Sequence, residues 1–247
     1  MNIIAFIPSR YDSTRFPGKP LAPIAGEPMI QHVCRCAASC PDISEVYVTT
    51  DDEKIFQCVD NFGGKALMTA KEHPSGTDRI AEAVQKLDLS EDDLIVNIQG
   101  DQPVFEPDLI SEMIAPLIED GDIPMATLKY RITDRNEIEN SNIVKVVTDN
   151  DGFALYFSLY PIPFCRDPES SVGHYKHLGF YAYRRGFLAK FSRLPIGRIE
   201  AAEKLEQLRA LEHGFKIKVV ETASDSVEVD TPADIKKVEA LIKRSSK

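Results

Sequence analysis

Short apolar runs alternate with segments of helical spacing over the first half of the chain. The runs cover residues 3–8, 45–50, 65–69 and 93–99. In the first segment between them, apolar side chains repeat at helical spacing from Met29 to Ala37, and Gly63-Gly64 marks the end of the next one. Such βαβ alternation predicts a mostly parallel sheet flanked by helices, a Rossmann-like α/β fold.

The pattern changes after about residue 124. Strand-like runs at residues 125–128, 144–147 and 154–157 follow one another with no helix predicted between them, and the Asn-Asp-Gly of residues 150–152 is typical of a hairpin turn. We therefore expect an antiparallel section over about residues 125–185, forming a smaller lobe within a single domain of 247 residues.

The last part of the chain returns to helical spacing. Residues 200–214 predict one helix, with leucines 205, 208 and 211 on one face and a glycine at its end. A strand over residues 216–220 and a closing helix after Thr231-Pro232 complete the predicted fold.

Composition narrows the possible partners. The 29 Lys and Arg residues are outnumbered by 39 Asp and Glu, and the net charge of −10 argues against nucleic acid or an anionic membrane as the main partner. No run approaches the ~20 apolar residues of a membrane span, and the N-terminal residues lack a signal-peptide pattern. We expect a cytoplasmic protein without stable membrane association.

The five cysteines do not form a recognisable framework. Their number is odd, and three of them crowd into the segment CRCAASC on a predicted helix. A zinc site needs a second ligand pair at suitable spacing, so reduced packing cysteines are the better interpretation.

A basic loop follows the first apolar run. Arg10, Arg15 and Lys19 lie on it, and Pro17 and Gly18 would bend the chain back. Because loops after parallel strands lie at the ligand-binding edge of the sheet, and because arginine and lysine both bind phosphate, the loop predicts a polyphosphate site. It matches neither the dinucleotide nor the Walker pattern. The alternative is an ordinary solvated basic loop.

Two acidic residues follow predicted strands at other points of the chain. Asp101 stands just after the apolar run of residues 93–99, and Asp230 precedes Thr231-Pro232, where the threonine can cap the closing helix by itself. Both could be ligands of Mg²⁺, which prefers carboxylates together with phosphate oxygens and water. Asp101 could instead cap a helix, and 128 intervening residues leave open whether the two aspartates meet.

Six ordered motifs together resemble one enzyme family, the 3-deoxy-manno-octulosonate (Kdo) cytidylyltransferases. They are RYDSTRFPGKPL, SGTDR, NIQGDQP, YKHLGFYAYRR, LEQLRALE and VDTP, and the resemblance runs from residue 3 to about residue 242. It implies a nucleotidyltransferase fold with a dimerisation lobe. It also implies a magnesium-dependent reaction of CTP with Kdo that gives CMP-Kdo and pyrophosphate for lipopolysaccharide synthesis.

The resemblance also assigns site residues. Arg10, Lys19, Asp101 and Asp230 are implied as the catalytic set, with both aspartates on magnesium. The CTP side is implied to comprise Arg10, Ser13, Arg15, Lys19, Ser75, Gly76, Thr77 and Arg79. The sugar side is implied to comprise Gln99, Arg166, His177, Tyr181, Glu206 and Gln207. From pattern alone, His177 and Tyr181 could equally be core residues of one strand face, and Glu206 and Gln207 the polar face of a helix.

Two departures from the family pattern concern the sugar. Gln102 stands where many members have Glu, and Leu159 where many have Arg after YFS. The forms QGDQP and DSVEVDTP resemble members that use 8-amino-Kdo, so Kdo is the first expected substrate and 8-amino-Kdo the second.

Three other classes of protein are alternatives to a Kdo cytidylyltransferase. They are a related acid-sugar or sugar-phosphate nucleotidyltransferase, a non-catalytic nucleotide-sensing module and a scaffold. A scaffold would leave the basic loop unexplained. The antiparallel section carries Tyr156, Phe157, Tyr160 and Phe164, which predict an apolar surface for a homodimer.

Overall fold

The chain folds around one large mixed sheet in a computed structural model that describes residues 1–12, 16–167 and 172–245. The strands in chain order are β1 Ile3–Ser9, β2 Pro23–Ile24, β3 Glu27–Pro28, β4 Glu45–Thr50, β5 Lys65–Met68, β6 Leu94–Asn97, β7 Met125–Arg131, β8 Lys145–Thr148, β9 Ala154–Ser158, β10 Tyr175–Arg184 and β11 Lys218–Thr222.

Helices separate most of these strands. They are α1 Met29–Ala38, α2 Glu53–Asn61, α3 Gly76–Gln85, α4 Asp108–Glu119, α5 Arg135–Glu139, α6 Arg185–Phe191, α7 Arg198–Glu203, α8 Leu208–Glu212 and α9 Pro232–Ser245, with a 3₁₀ turn at Lys19–Leu21. Among the described residues, no helix is both long enough and apolar enough to cross a bilayer.

The main sheet has the order β11-β7-β10-β6-β1-β4-β5. β1 pairs in parallel with both β4 and β6, and β4 pairs in parallel with β5, whereas β10 runs antiparallel between β6 and β7. The predicted mostly parallel α/β fold is confirmed, and the carboxyl ends of β1, β4 and β6 meet at one edge.

β1 is buried on both faces of the sheet. Ala5 and Ile7 pack into the core on the side of α1, α2 and α4, while Ile4 and Phe6 pack into the core on the side of α3 and α6. Helices cover both faces, so the strand is a continuous apolar run. That run made β1 easy to predict.

β8 and β9 form the predicted hairpin. Gly152 adopts a φ of 78° in its turn, and Lys145 of β8 pairs with Lys176 of β10. The expectation that no helix separates β7 from β8 was wrong, because Asp134 accepts a hydrogen bond from Asn136 and begins the short helix α5. β7 and β10 belong to the main sheet, and the division into a domain and a lobe stays a prediction.

The apolar surface predicted near the hairpin is partly core. Phe157 is fully buried, whereas Tyr160 is 75% and Phe164 86% exposed, and Leu155 adds a further exposed side chain. The surface predicted for a homodimer is therefore limited to these exposed side chains, and the homodimer itself stays a prediction.

The single helix predicted over residues 200–214 was wrong. Lys204 adopts φ 58° and ends α7, and a separate helix begins at Leu208. The Glu212 carboxylate accepts hydrogen bonds from the backbone N–H groups of Ile199 and Glu200, so it caps the first helix from the second. The break turns Glu206 away from a helix surface.

The predicted C-terminal elements are present. β11 lies within two residues of the expected strand, and α9 begins directly at Pro232. The backbone N–H and hydroxyl of Thr231 both donate to Asp234, which fixes the helix start. All five cysteines are free thiols, as expected.

Replacing Lys204 by valine is expected to lower the free energy of unfolding by about 1–2 kcal/mol, because a β-branched side chain fits poorly at positive φ. Lys204→Gly is expected to match or exceed the wild-type stability. The control, Lys236→Val on exposed α9, should cost only about 0.5 kcal/mol. Urea unfolding measures all three, and equal losses in both valine variants would contradict the strained conformation.

Candidate active site

A cleft of about 420 Å³ lies where the segments that follow β1, β5 and β6 meet. Seven of the predicted site residues contribute to its lining: Arg10, Lys19, Ser75, Gly76, Arg79, Gln99 and Asp101. They come from three separate strand ends, so the sheet edge brings together side chains that are distant in sequence.

The basic loop turns back on itself as predicted. The Gly18 N–H donates to the Tyr11 carbonyl at 2.9 Å, and Gly18 has φ 69°, which a glycine adopts without strain. This turn delivers Lys19 to the cleft, opposite the exposed Arg10. Ser13 and Arg15, the other predicted phosphate ligands of the loop, lie outside the described residues.

Lys19 joins the two predicted metal ligands. Its ammonium lies 2.7 Å from Asp101 Oδ2 and 3.9 Å from Asp230 Oδ1, and it donates to the Val229 carbonyl at 3.0 Å. The Val229 N–H in turn donates to the Asp101 carbonyl at 2.9 Å. The two aspartates, separated by 128 residues of sequence, thus share one cation in the folded chain.

The pair of aspartates fits Mg²⁺ chemically. Both carboxylates are only partly exposed, at 29% and 32%, and already hold a common positive charge between them. Magnesium commonly takes one or two carboxylates plus phosphate oxygens and water. Among the described residues there is no group of three or more acidic, His or Cys side chains suited to a metal, so a metal here would need ligand oxygens as well.

Gly100 lets two strand ends approach closely. A Cβ on Gly100 would stand 2.8 Å from Ser9 Oγ and 3.1 Å from the Pro8 carbonyl, so another residue would push β1 and the following loop apart. Ser9 is buried at the cleft wall, and its hydroxyl has no hydrogen-bond partner among the described residues. Sequence reasoning did not select Ser9, although its place directly before Arg10 at a strand end was a usable signal.

The SGTDR motif forms the start of α3. Ser75 accepts from the Asp78 N–H and caps the helix, while Gly76 lies against Pro8 in the cleft wall. Arg79 is buried, and its guanidinium donates to the Thr69 hydroxyl and lies 3.3 Å from Asp51. Arg79 thus has a structural ion pair in addition to its position at the cleft.

Glu206 lies against the SGTDR motif. Its carboxylate accepts from the Ser75 hydroxyl at 3.0 Å and from the Thr77 hydroxyl at 3.1 Å. Burial, reinforced by the nearby Asp78, raises the pKa of Glu206 to about 7. The predicted sugar ligand therefore contacts the nucleotide loop, and Gln207 is buried at the start of α8. The helix-surface alternative for both residues does not hold.

Three other residues predicted to bind the sugar lie in two separate parts of the structure, and none of them lines the cleft. His177 and Tyr181 form an aromatic cluster with Phe157, with ring centroids 5.2 Å apart on either side of the histidine. Burial lowers the pKa of His177 to about 3, so it is neutral and bonds to the Thr127 hydroxyl at 2.8 Å. Arg166 is exposed and is not among the residues that line the cleft.

Gln99 connects the aromatic cluster to the cleft. Its amide donates to the Gly179 carbonyl at 3.1 Å, and Gly179 lies between His177 and Tyr181 on β10. The register of β10 against β7 shifts between those two residues, yet both rings remain on one side of the strand. Gln99 thus links the cleft wall to this part of β10, although neither His177 nor Tyr181 lines the cleft.

Glu228 was not selected from the sequence. It lies close enough to Asp101 and Asp230 to interact with their charges, and it accepts a hydrogen bond from Gln102 at 3.2 Å. Burial, followed by those two aspartates, raises the pKa of Glu228 to about 7. The motif DSVEVDTP contains the residue, but only the fold places it beside the cleft.

A strand-end cleft in an α/β sheet, lined by Arg10, Lys19 and Asp101 with Asp230 joined through Lys19, is the arrangement expected of a nucleotidyltransferase. The profile of the family described as "Cytidylyltransferase" matches residues 4–218. The chain belongs to the cytidylyltransferase family.

Individual relatives match over nearly their whole length. A 3-deoxy-manno-octulosonate cytidylyltransferase of Syntrophus aciditrophicus (strain SB) is 55% identical over 97% of both chains. An 8-amino-3,8-dideoxy-manno-octulosonate cytidylyltransferase of Shewanella sp. (strain ANA-3) is 54% identical over 97% of this chain and 98% of its own. The solved structure of a CMP:2-keto-3-deoxy-manno-octonic acid synthetase complexed with CTP is 42% identical, with a TM-score of 0.93 over 99% of this chain and 100% of its own.

The raised pKa of Glu206 predicts a pH-dependent stability. Between pH 4.5 and about 7 the folded chain retains a proton on Glu206 that the unfolded chain releases, so this carboxyl lowers the free energy of unfolding as pH rises. Glu206→Gln should remove that decline when urea unfolding is compared between pH 4.5 and 8.

His177 acts in the opposite direction, because its low pKa raises stability as pH rises from about 3 to 6.5. It is present in both proteins, so its effect cancels in the difference between them. Glu112→Gln on the exposed face of α4 is the matched control. Parallel pH profiles for wild type and Glu206→Gln would show that Glu206 titrates normally.

Proposed function

We propose that this chain is a 3-deoxy-manno-octulosonate cytidylyltransferase, which transfers the CMP group of CTP to Kdo and releases pyrophosphate for lipopolysaccharide synthesis. The observation that carries the proposal is the ion bridge from Lys19 to Asp101 and Asp230 beside Arg10 at the strand ends. The cytidylyltransferase relatives from Syntrophus and Shewanella support the same reaction class.

The chemistry is an in-line displacement at the α-phosphorus of CTP. The anomeric hydroxyl of the sugar forms the new oxygen–phosphorus bond while the bond from the α-phosphorus to pyrophosphate breaks. Arg10 and Lys19 stabilise the negative charge that gathers on the leaving pyrophosphate. Ser9 can donate its unpartnered hydroxyl to a phosphate oxygen, which would satisfy that buried group.

We propose Asp101 and Asp230 as the residues that hold Mg²⁺. The bound ion would supply charge neutralisation at the phosphates and a lower pKa of the attacking hydroxyl. In its absence, the single Lys19 ammonium is shared by both carboxylates and offsets part of their charge. Lys19 therefore keeps the aspartates together before the ligands arrive.

The nucleotide and the sugar take opposite ends of the cleft in this proposal. Ser75, Gly76, Thr77 and Arg79 form the CTP end, and Glu206 supports it by holding the Ser75 and Thr77 hydroxyls. Gln99, His177 and Tyr181 form the sugar end, because Gln99 leads from the cleft to β10. Arg166 and Gln207 remain proposed sugar ligands by family resemblance.

A second sugar, 8-amino-Kdo, is favoured by one observation. Gln102 is wholly buried beside Glu228, and its amide donates to that carboxylate. Leu159, the other departure from the family pattern, contacts Glu203 and Lys145 through its backbone, and it does not line the cleft. Of the two departures, Gln102 is the informative one.

We further propose a homodimer in the cytoplasm. The free thiols suit a reducing compartment. The exposed Leu155, Tyr160 and Phe164 lie within one short stretch of the chain beside the β8–β9 hairpin, and large exposed apolar side chains of this kind favour a contact with a second copy.

The function is tested by pyrophosphate release from CTP, Kdo and Mg²⁺. Asp101→Asn is expected to reduce turnover by about 100-fold or more, because the carboxylate charge beside the phosphates is lost, while the melting temperature stays close to that of wild type. Asp122→Asn, in an exposed loop, is the matched control. Near-normal turnover in Asp101→Asn would remove Asp101 from the proposed metal site.

Two further outcomes concern the wild-type protein. Turnover that survives removal of Mg²⁺ by EDTA would contradict the metal proposal. Magnesium-dependent CTP binding without any pyrophosphate release would indicate a nucleotide-sensing module instead of an enzyme.

Light scattering coupled to size exclusion tests the homodimer. The wild type is expected to elute at twice the chain mass at micromolar concentration, and Tyr160→Ser with Phe164→Ser should shift it towards the monomer because apolar contact area is lost. Ile118→Ser with Ile199→Ser, two exposed residues elsewhere, controls for general loss of apolar surface. A monomeric wild type would contradict the proposal.

A further inference from the structure

Residues 227–229 run beside the QGDQP motif. Val227 forms an antiparallel bridge with Val104, and the Val229 N–H donates to the Asp101 carbonyl at 2.9 Å. This pairing places Glu228 next to Gln102. Lys176 binds Asp225 at 2.7 Å and anchors the segment that leads into the pairing.

The amide of Gln102 is oriented by two acceptors. Its nitrogen donates to the Leu178 carbonyl at 2.7 Å and to Glu228 Oε1 at 3.2 Å. A glutamate at position 102 would turn a carboxylate towards a carbonyl and a second carboxylate, which is unfavourable unless one carboxyl is protonated. The Gln102 amide therefore favours the ionised form of Glu228, which a glutamate at position 102 would oppose.

Glu228 lies near Gly179 of β10, beside Gln99, which lines the cleft. A Cβ built on Gly179 would stand 3.7 Å from Gln99 Cγ, 3.8 Å from Gln102 Nε2 and 3.8 Å from Glu228 Oε1. Three polar side chains from different parts of the sequence thus lie close to Gly179, at the register shift of β10 between His177 and Tyr181. This convergence sets Glu228 beside Gln99, the residue that connects the cleft to the proposed sugar side.

Glu228 differs from the neighbouring aspartates in its charge partners. Lys19 forms ion pairs with Asp101 and Asp230. By contrast, no cation among the described residues lies within 4.0 Å of the Glu228 carboxylate. The residue as a whole keeps part of its surface open to solvent, although its carboxyl group lies among protein atoms. A ligand can therefore reach a carboxylate that the protein itself has left without a counter-ion.

We propose that Glu228 binds an ammonium substituent on the acid sugar and is thereby the specificity-determining residue for 8-amino-Kdo over Kdo. The inference rests on the proposed cytidylyltransferase function. Kdo carries a neutral hydroxyl where the amino sugar carries the ammonium, and a hydrogen bond between two charged groups is stronger than one to a neutral group. Gln102 is the positioning residue that holds Glu228 towards the sugar.

The test compares kcat/KM for the two sugars, each with CTP and Mg²⁺, in wild type and in Glu228→Gln. The variant keeps the shape and removes the charge, so the ratio of kcat/KM for 8-amino-Kdo to that for Kdo should fall about 10- to 100-fold. The value for Kdo should fall by a smaller factor than the value for 8-amino-Kdo, because only a hydrogen bond to a neutral hydroxyl is changed. Glu228→Asp, which retains a carboxylate, should recover part of the preference.

Two controls separate charge recognition from damage to the site. The N-acetylated amino sugar lacks the positive charge, so Glu228→Gln should not change its kcat/KM relative to Kdo. Glu112→Gln, on exposed α4, should leave every ratio unchanged. Melting temperatures of all variants establish that they are folded.

Several results would overturn the inference. Equal losses for both sugars would assign Glu228 to the metal or to the fold, and an unchanged ratio would remove it from sugar recognition. Turnover of Kdo without turnover of 8-amino-Kdo would refute ammonium binding and leave the proposed function intact. If neither sugar releases pyrophosphate, the proposed function fails, and calorimetric binding of the two sugars to wild type and Glu228→Gln decides the inference separately.

Discussion

The ion bridge centred on the Lys19 ammonium holds the two ends of the chain at one site. Asp101 follows the sixth strand and Asp230 precedes the last helix, and two carboxylates this close repel each other without a cation between them. Lys19 also donates to the Val229 carbonyl, which ties the backbone near Asp230 to the same ammonium. The arrangement of the cleft depends on this one side chain because it supplies both the neutralising charge and the backbone contact.

The sheet makes the bridge possible by fixing where each partner emerges. β1 is an interior strand, buried on both faces and paired in parallel on both sides, so its end is among the most constrained points of the fold. Gly100 allows the segment that carries Asp101 to lie against Ser9 and Pro8. The cleft is thus shaped by backbone packing, and the charged side chains are added to a rigid edge.

Sequence pattern predicted the elements whose signal is local. β1, β4 and β6 are continuous apolar runs, the turn at Gly18 follows from residue type, and Thr231-Pro232 marks a helix start. The division of residues 200–214 into two helices could not be read in this way, since its cause is the Glu212 carboxylate bonding to a turn 12 residues earlier. A nonlocal contact overrode a good helical pattern.

In the candidate site, too, local features could be predicted from the sequence and nonlocal contacts could not. Each strand-end residue was predictable singly, because parallel strands present their ends at one edge. The hydrogen bonds from Ser75 and Thr77 to Glu206 could not be predicted, because Glu206 lies 131 and 129 positions further along the sequence. The same holds for Gln102 and Glu228, which form a pair only because the segment before α9 runs beside the QGDQP motif.

The charges of the cleft explain why a divalent cation belongs in the proposed reaction. Arg10, Lys19 and Arg79 are described cations that line the cleft. The Arg79 guanidinium is paired with Asp51, so Arg10 and Lys19 are the two that a triphosphate would meet. Lys19 is already bonded to Asp101, so a triphosphate would enter beside two aspartates with little positive charge to spare. A divalent cation held by Asp101 and Asp230 would offset both carboxylates, and Lys19 would then be free to bind the phosphates. No described cation lies within 4.0 Å of the Glu228 carboxyl group. In the proposal, this carboxyl group is therefore left to bind the sugar.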